Sequence, residues 1–165
     1  MNRRRVLRNS LAAALLAGIG PVGFAQSRWE LGQTVQLPTL ELLDGNRVDW
    51  DALRGKVIVL EFWGSWCPFC ARQNPLLDGF YKEHRSRGLE VITISLDKTK
   101  QGAIDYMKKG GYAFKAGMVT AEWNAIYKQR KGLPQLFVID RQGRLVMIEV
   151  REVMEDDIRD IARFL

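Results

Sequence analysis

The chain has 165 residues, 47% apolar and 27% charged, a composition that excludes a disordered or collagen-like chain and fits one domain with a short extra segment. Two cysteines are too few for a disulfide-dense miniprotein, and no apolar run reaches the roughly 18 residues of a membrane span, so a multi-span membrane protein is excluded as well. The formal charge of +6 is uneven: residues 1–25 carry Arg3, Arg4, Arg5 and Arg8 and no acid, the remainder is close to neutral, and the basic balance is no argument for nucleic-acid binding.

The first 25 residues read as an export signal. Arg3 to Arg8 is a charged start, Leu11 to Ile19 an apolar stretch of signal length, and Gly23 and Ala25 are small residues placed for cleavage after Ala25. Arg3-Arg4-Arg5-Val6-Leu7-Arg8 also fits the twin-arginine pattern. The expected organisation is therefore a signal over 1–25 and one domain over 26–165, located in the periplasm. Val35 to Leu42, the turn Asp44-Gly45-Asn46 and Arg47-Val48 predict a small N-terminal hairpin, followed by a helical turn over Trp50 to Leu53. Val57 to Phe62 is nearly continuous in apolar, mostly β-branched residues, as in a central strand buried on both faces. A helix is predicted from Cys67 to Arg87, with Pro75 inside it. A second buried strand follows over Leu89 to Ser95, then a helix over Lys98 to Lys109, a short strand at Gly117 to Val119 and a short helix over Ala121 to Tyr127. Gln135 to Ile139 and Arg144 to Val150 flank the turn Asp140 to Gly143, and Glu155 to Leu165 closes the chain as a helix. The first two strands need a crossover and should be parallel, the hairpin adds antiparallel strands, and an α/β fold results: a mixed sheet with helices on both faces.

The chemistry gathers at Trp66-Cys67-Pro68-Phe69-Cys70. Two cysteines three apart can form a disulfide within one helical turn. Cys67 falls where a strand ends and a helix begins, so unpaired N–H groups and the positive end of the helix dipole favour its thiolate, the attacking species in disulfide exchange. Cys70, one turn deeper, resolves the mixed disulfide. A purely structural bridge over so short a loop contributes only about 2 kcal/mol. A structural zinc site would want four ligands where the chain offers two cysteines and one histidine, so no metal site is assigned. Nor does an exported chain readily keep two thiols inert. Redox exchange is the reading these alternatives leave in front.

The run Glu61-Phe62-Trp63-Gly64-Ser65-Trp66-Cys67-Pro68-Phe69-Cys70, with Pro75 and Gly132-Leu133-Pro134 leading into Gln135 to Gly143, resembles the thioredoxin superfamily, and within it the exported TlpA/ResA-like thiol–disulfide oxidoreductases. The resemblance covers roughly residues 31–165. It implies a four-stranded thioredoxin core with an added N-terminal hairpin. It also implies a cis bond before Pro134, placing Pro134 beside the cysteine pair and leaving the Leu133 backbone free to pair with an extended client, as in strand addition. Trp66, Pro68, Phe69 and Leu133 become the expected client contacts. A reductant is favoured. It takes electrons from a membrane-embedded thiol transporter, passes them to oxidised clients such as apocytochrome c, acts as a monomer, and needs no cofactor beyond the Cys67/Cys70 couple. The alternatives are a disulfide-donating oxidant or isomerase and, in a different class, a thiolate metal carrier. A peroxidase context, Pro-x-x-x-Thr-x-x-Cys, is absent.

Glu61 interrupts the first apolar strand six residues before Cys67. Desolvation there raises a carboxyl's pKa and suits it to exchange protons with Cys70 as the mixed disulfide resolves. Cytosolic thioredoxins carry an Asp at this position, whereas TlpA/ResA-like members often place an acid three residues after the second cysteine, where this chain has Gln73. The competing reading is a partly exposed or salt-bridged strand carboxylate. Trp63, Trp66 and Phe69 are expected as an apolar rim, with Trp63 equally suited to the core. Trp29, Trp50 and Trp123 read as packing residues, His84 as a solvated surface residue, and Lys108-Lys109 and Lys128 to Lys131 as solvated charge runs.

Overall fold

The computed structural model describes residues 28–165, and the export signal and its cleavage point lie outside the described residues. Among the described residues no helix is long and apolar enough to cross a membrane. The elements are β1 (Val57–Trp63), α1 (Pro68–His84), β2 (Leu89–Ser95), α2 (Lys100–Gly110), β3 (Lys115–Met118), α3 (Ala121–Tyr127), β4 (Gln135–Ile139), β5 (Leu145–Val150) and α4 (Glu155–Asp160). They form one five-stranded sheet in the order β3-β2-β1-β4-β5. β1 runs parallel to β2 and β2 to β3, while β4 is antiparallel to both β1 and β5.

The hydrophobic pattern dictates this placement. All seven residues of β1 and all seven of β2 are buried, as central strands covered on both faces must be. Alternation then sorts the side chains. Val57, Val59, Val91, Leu136 and Val138 pack on Leu77, Phe80 and Tyr81 of α1 and Ile158 of α4. Ile58, Leu60, Phe62, Ile92 and Phe137 pack on Trp123 and Ile126 of α3 and on Trp29, Leu40 and Leu53 from the N-terminal segment. The three packing tryptophans are where they were expected. Trp123 is fully buried and donates from Nε1 to the Thr39 carbonyl at 3.1 Å, and Trp50 donates to the Pro38 carbonyl at 3.0 Å.

The short strand expected near Gly117 joins the sheet as β3, so the sheet has five strands where the resemblance implied a four-stranded core. The hairpin turn forms, with Asn46 N–H donating to Asp44 Oδ1 at 2.9 Å and Leu42 N–H to the Asn46 carbonyl at 2.7 Å. It carries only the single bridge Glu41↔Arg47, because the segment spends its backbone groups elsewhere. Residues 32–35 bond to the start of β5 (Gly32 N–H to Leu145 O at 2.8 Å, Leu145 N–H to Gln33 O at 2.8 Å), and Leu43 N–H donates to Ala116 O in β3 at 2.8 Å. The N-terminal segment is thus a strap that touches both edge strands, which covers edges that would otherwise template pairing with another chain. The strap passes so close to β3 that a Cβ at Gly117 would sit 2.5 Å from the Glu41 carbonyl oxygen.

The first and last helices end within a residue of the expected positions, but each finishes in a tighter turn. The first tightens from α1 into a 3-10 turn at Arg85–Arg87 and stops at Gly88 (φ 92°), and the last passes from α4 into a 3-10 turn at Ile161–Phe164. His84 is not a solvated surface residue. It is buried against Phe80, ring centroids 4.4 Å apart, and its Nδ1 lies 3.2 Å from Arg87 Nη1. The Lys128 to Lys131 run is only partly solvated, since Gln129 Oε1 accepts from Trp29 N–H at 2.7 Å and Arg130 Nη2 donates to the Trp29 carbonyl.

Candidate active site

Cys67 occupies the N-cap of α1 in an extended conformation (φ −90°, ψ 112°), and Pro68 begins the helix, where a missing N–H costs nothing. The Cys67 sulfur accepts from Cys70 N–H at 3.2 Å, so one of the helix's orphan donors is aimed at it. Cys67 and Cys70 are joined by a disulfide with Cα atoms 5.3 Å apart. Cys67 is 3% exposed and Cys70 fully buried. The turn that delivers Cys67 is pinned from β2: Ser65 Oγ donates to Asp97 Oδ1 at 2.7 Å, Ser95 Oγ donates to Asp97 Oδ2 at 2.8 Å, and Ser65 N–H also reaches the carboxylate at 3.2 Å. Sequence reasoning missed Asp97, although its place just beyond the end of β2 was a usable sign. Trp66 lies across Gly64, where a Cβ would meet the indole at 2.7 Å.

The Leu133–Pro134 peptide bond is cis. Leu133 and Cys67 face a common groove of about 630 Å³ lined by Trp66, Pro68, Phe69, Gly132, Arg151 and Glu152. Trp66 and Phe69 are 64% and 48% exposed and form its apolar rim. Trp63 does not belong to that rim. It is fully buried, donates from Nε1 to Thr93 Oγ1 at 2.9 Å and packs on Tyr106 at 4.7 Å. Among the described residues neither the N–H nor the C=O of Leu133 has a hydrogen-bond partner. The loop before it is held by Gln135, whose buried Nε2 donates to the carbonyls of Tyr127, Arg130 and Gly132 at 3.1–3.2 Å. Across the groove Arg72 pairs with Glu152 through two bonds of 2.7 and 2.6 Å and lies over the Phe69 ring at 4.9 Å. These donors hold Glu152 below its ordinary pKa.

Glu61 is fully buried in β1, on the face toward α1, and makes no salt bridge with the described residues. Gln73 Nε2 donates to Glu61 Oε1 at 2.8 Å, while Gln73 Oε1 accepts from Val153 N–H at 2.9 Å. The Asn74 amide is satisfied with Nδ2 toward Glu61 Oε1 and Oε2, at 3.1 and 3.0 Å, and toward the Cys70 carbonyl at 3.1 Å. In that orientation its Oδ1 accepts from the Tyr106 hydroxyl at 3.2 Å. Burial pushes the Glu61 carboxyl up to about 8, against the pull of the Gln73 amide. Burial also raises the Tyr106 hydroxyl above its ordinary value. Asn74 thus bridges the carboxyl and the backbone of Cys70. Sequence reasoning overlooked it, yet helical spacing sets Asn74 one turn beyond Cys70, on the same side of α1.

Residues 30–165 match the Redoxin family. The chain belongs to that family. Its similarity to the thiol-disulfide oxidoreductase ResA of Bacillus subtilis (strain 168) is 29% identity over 121 residues, covering 73% of this chain and 68% of that one. With the ResA of Bacillus cereus (strain ATCC 10987 / NRS 248) it is 24% over 178 residues, covering 98% and 99%. The crystal structure of a thiol:disulfide interchange protein of the thioredoxin family from Chlorobium tepidum TLS superposes with a TM-score of 0.71 at 25% identity, covering 76% of this chain and 90% of that one. This Redoxin-family chain is a TlpA/ResA-like member of the thioredoxin superfamily and a thiol–disulfide oxidoreductase, with Cys67–Cys70 as its disulfide.

Proposed function

We propose that the chain is a periplasmic reductase of client disulfides, exported by residues 1–25 and working as a monomer over residues 26–165. The observation that carries this reading is the Cys67 sulfur at the mouth of α1, sharing a groove with the unpaired backbone of Leu133. An extended client pairs with Leu133 and packs on Trp66, Pro68 and Phe69, with the cis bond of Pro134 setting that edge beside the sulfur. The Cys67 thiolate attacks one client sulfur, a mixed disulfide forms, and the other client sulfur leaves as a thiolate. Cys70 gives up its proton and attacks the Cys67 sulfur, the second client thiolate departs, and the Cys67–Cys70 bond closes. Two electrons have then passed from the pair to the client. Glu61, fully buried and bridged by Asn74 to Cys70, is the acceptor for the Cys70 proton, directly or through water. No cofactor beyond the cysteine couple takes part. A membrane-embedded thiol transporter restores the reduced pair, and oxidised proteins such as apocytochrome c are the clients. The alternative, a carrier that holds a metal on the same two thiolates, is separated by the metal content of anaerobically purified protein: a stoichiometric metal without disulfide reductase activity would favour it.

The test is the reduction potential of the Cys67/Cys70 couple, measured by equilibrating the protein with dithiothreitol or glutathione buffers. A value near that of thioredoxin, roughly −270 mV, fits a reductase that needs a dedicated donor. A value near that of DsbA, roughly −120 mV, would make the protein an oxidant or isomerase and overturn the direction proposed, leaving the roles of the cysteines unchanged.

A further inference from the structure

The groove beside Cys67 is apolar on the side of Trp66, Phe69 and Leu133, and its remaining wall is Arg151 and Glu152. These two charges are not in the same situation. Both oxygens of Glu152 are taken by Arg72, one by Nε and one by Nη2. Arg151 is exposed and, among the described residues, has no carboxylate partner. Its backbone is also unusual. With φ at 83° it is the one non-glycine residue in the left-handed region among the described residues, a conformation that persists only where neighbours enforce it. The enforcing contact is its N–H, which donates at 2.7 Å to the carbonyl of Pro134. The side chain that results lies beside Gly132: a Cβ there would be in ordinary contact with it, 3.4 Å from Arg151 Cγ and 4.0 Å from Nε. The Arg151 stem therefore runs along the Gly132 end of the backbone edge offered to a client, and its guanidinium brings an unneutralised positive charge there. Lys131, exposed and next to Gly132, adds a second cation without a carboxylate partner among the described residues.

We propose that Arg151 is a specificity residue of the groove, selecting client segments that carry an aspartate or glutamate beside the reacting cysteine. This rests on the reading of the groove as a site for extended disulfide-bearing segments. The planar guanidinium suits bidentate recognition of a carboxylate, and the apolar walls reduce competition from water. A lysine at the same client position meets like charge and is disfavoured.

The experiment uses three synthetic peptides, each with one intramolecular Cys-x-x-Cys disulfide, flanked on both sides by Asp, Asn or Lys. Reduced protein is mixed with each, and the second-order rate constant of the single exchange is divided by that of the same peptide with dithiothreitol, which removes the peptide's own reactivity. At low salt the normalised Asp value exceeds the Asn value by about two- to fivefold, the range of one partly exposed ion pair, and the Lys value falls below both. The spread contracts at 0.5 M salt, where the screening length is only a few ångströms. Arg151→Lys keeps the order, Arg151→Gln compresses it, and Arg151→Glu reverses it. The salt dependence is read on the unmodified protein and stands whichever variants fold. Equal normalised values in the unmodified protein, or an order untouched by Arg151→Glu, overturn the role of Arg151 while leaving the groove as the client site. If none of the three peptides is reduced while the small neutral disulfide 2-hydroxyethyl disulfide is, the groove reading itself falls, and this inference with it.

Discussion

Replacing Glu61 by Gln probes the buried carboxyl in two ways. Glu61 has an ordinary pKa of 4.5 and is pushed to about 8 in the fold by burial. Between those values the folded protein keeps a proton that the unfolded chain has released. The group's contribution to stability is therefore full below about pH 4.5 and is lost as the pH rises through 8. At about 1.4 kcal/mol per pH unit, the gap sets a ceiling of about 5 kcal/mol, which the Asn74 amide reduces because it favours the charged form. Urea unfolding of the oxidised protein from pH 5 to 9 should show a falling stability that Glu61→Gln lacks, with the two curves converging at the acid end apart from a constant offset. The same substitution removes the acceptor for the Cys70 proton. Resolution of a preformed mixed disulfide should then be slower by on the order of 10²-fold above about pH 8, where the unmodified protein has an ionised carboxylate. Parallel stability curves would refute the burial argument. An unchanged rate–pH profile would refute the proton-transfer role even if the stability curves diverge.

Cys70→Ser should accumulate one client per chain as a mixed disulfide through Cys67, visible by intact mass, whereas Cys67→Ser accumulates none. Trp63→Phe should cost about 1–3 kcal/mol in urea unfolding, because it empties volume at a fully buried site and removes the bond to Thr93. Trp66→Ala, at a residue 64% exposed, should shift stability by no more than about 0.5 kcal/mol yet raise KM for a disulfide-bearing protein client. Gly117→Ala should destabilise by about 1–3 kcal/mol through the clash with the Glu41 carbonyl and speed hydrogen exchange at Leu43 N–H, which bonds to β3 beside that contact.

Much of the fold was legible because its strands obey simple patterns. The runs at Val57 and Leu89 are rich in apolar residues and are buried throughout, and the bounds of α3 and β4 coincide with those observed. The cysteine pair was plain from its local motif, whereas the cis bond before Pro134 was expected only from the family resemblance. What escaped depends on distant partners. The strap looks like a hairpin from its turn residues, but its backbone groups bond to β3 and β5, which lie far along the chain. His84 is the exception: it looks polar among charges, yet the residues against it, Phe80 and Arg87, lie within about one helical turn. Arg151 carries no sequence sign of a left-handed backbone, because that conformation is imposed by the Pro134 carbonyl rather than chosen by the residue. At Glu61 the missing acid at Gln73 was visible, but not that the Gln73 amide binds the same carboxyl.

The strap also sets the order in which the molecule can be completed. Gln33 bonds to Leu145, so the start of the domain is joined to a strand more than a hundred residues later, while Leu43 bonds to Ala116 on the opposite border of the sheet. Contacts of such sequence separation form only after large loops have closed, which makes them late and slow. A chain emerging N-terminus first must hold residues 32–43 idle until β3 and β5 have been made. Until then both borders of the sheet stay open, and the waiting segment and its unclaimed strands are the natural clients of a chaperone.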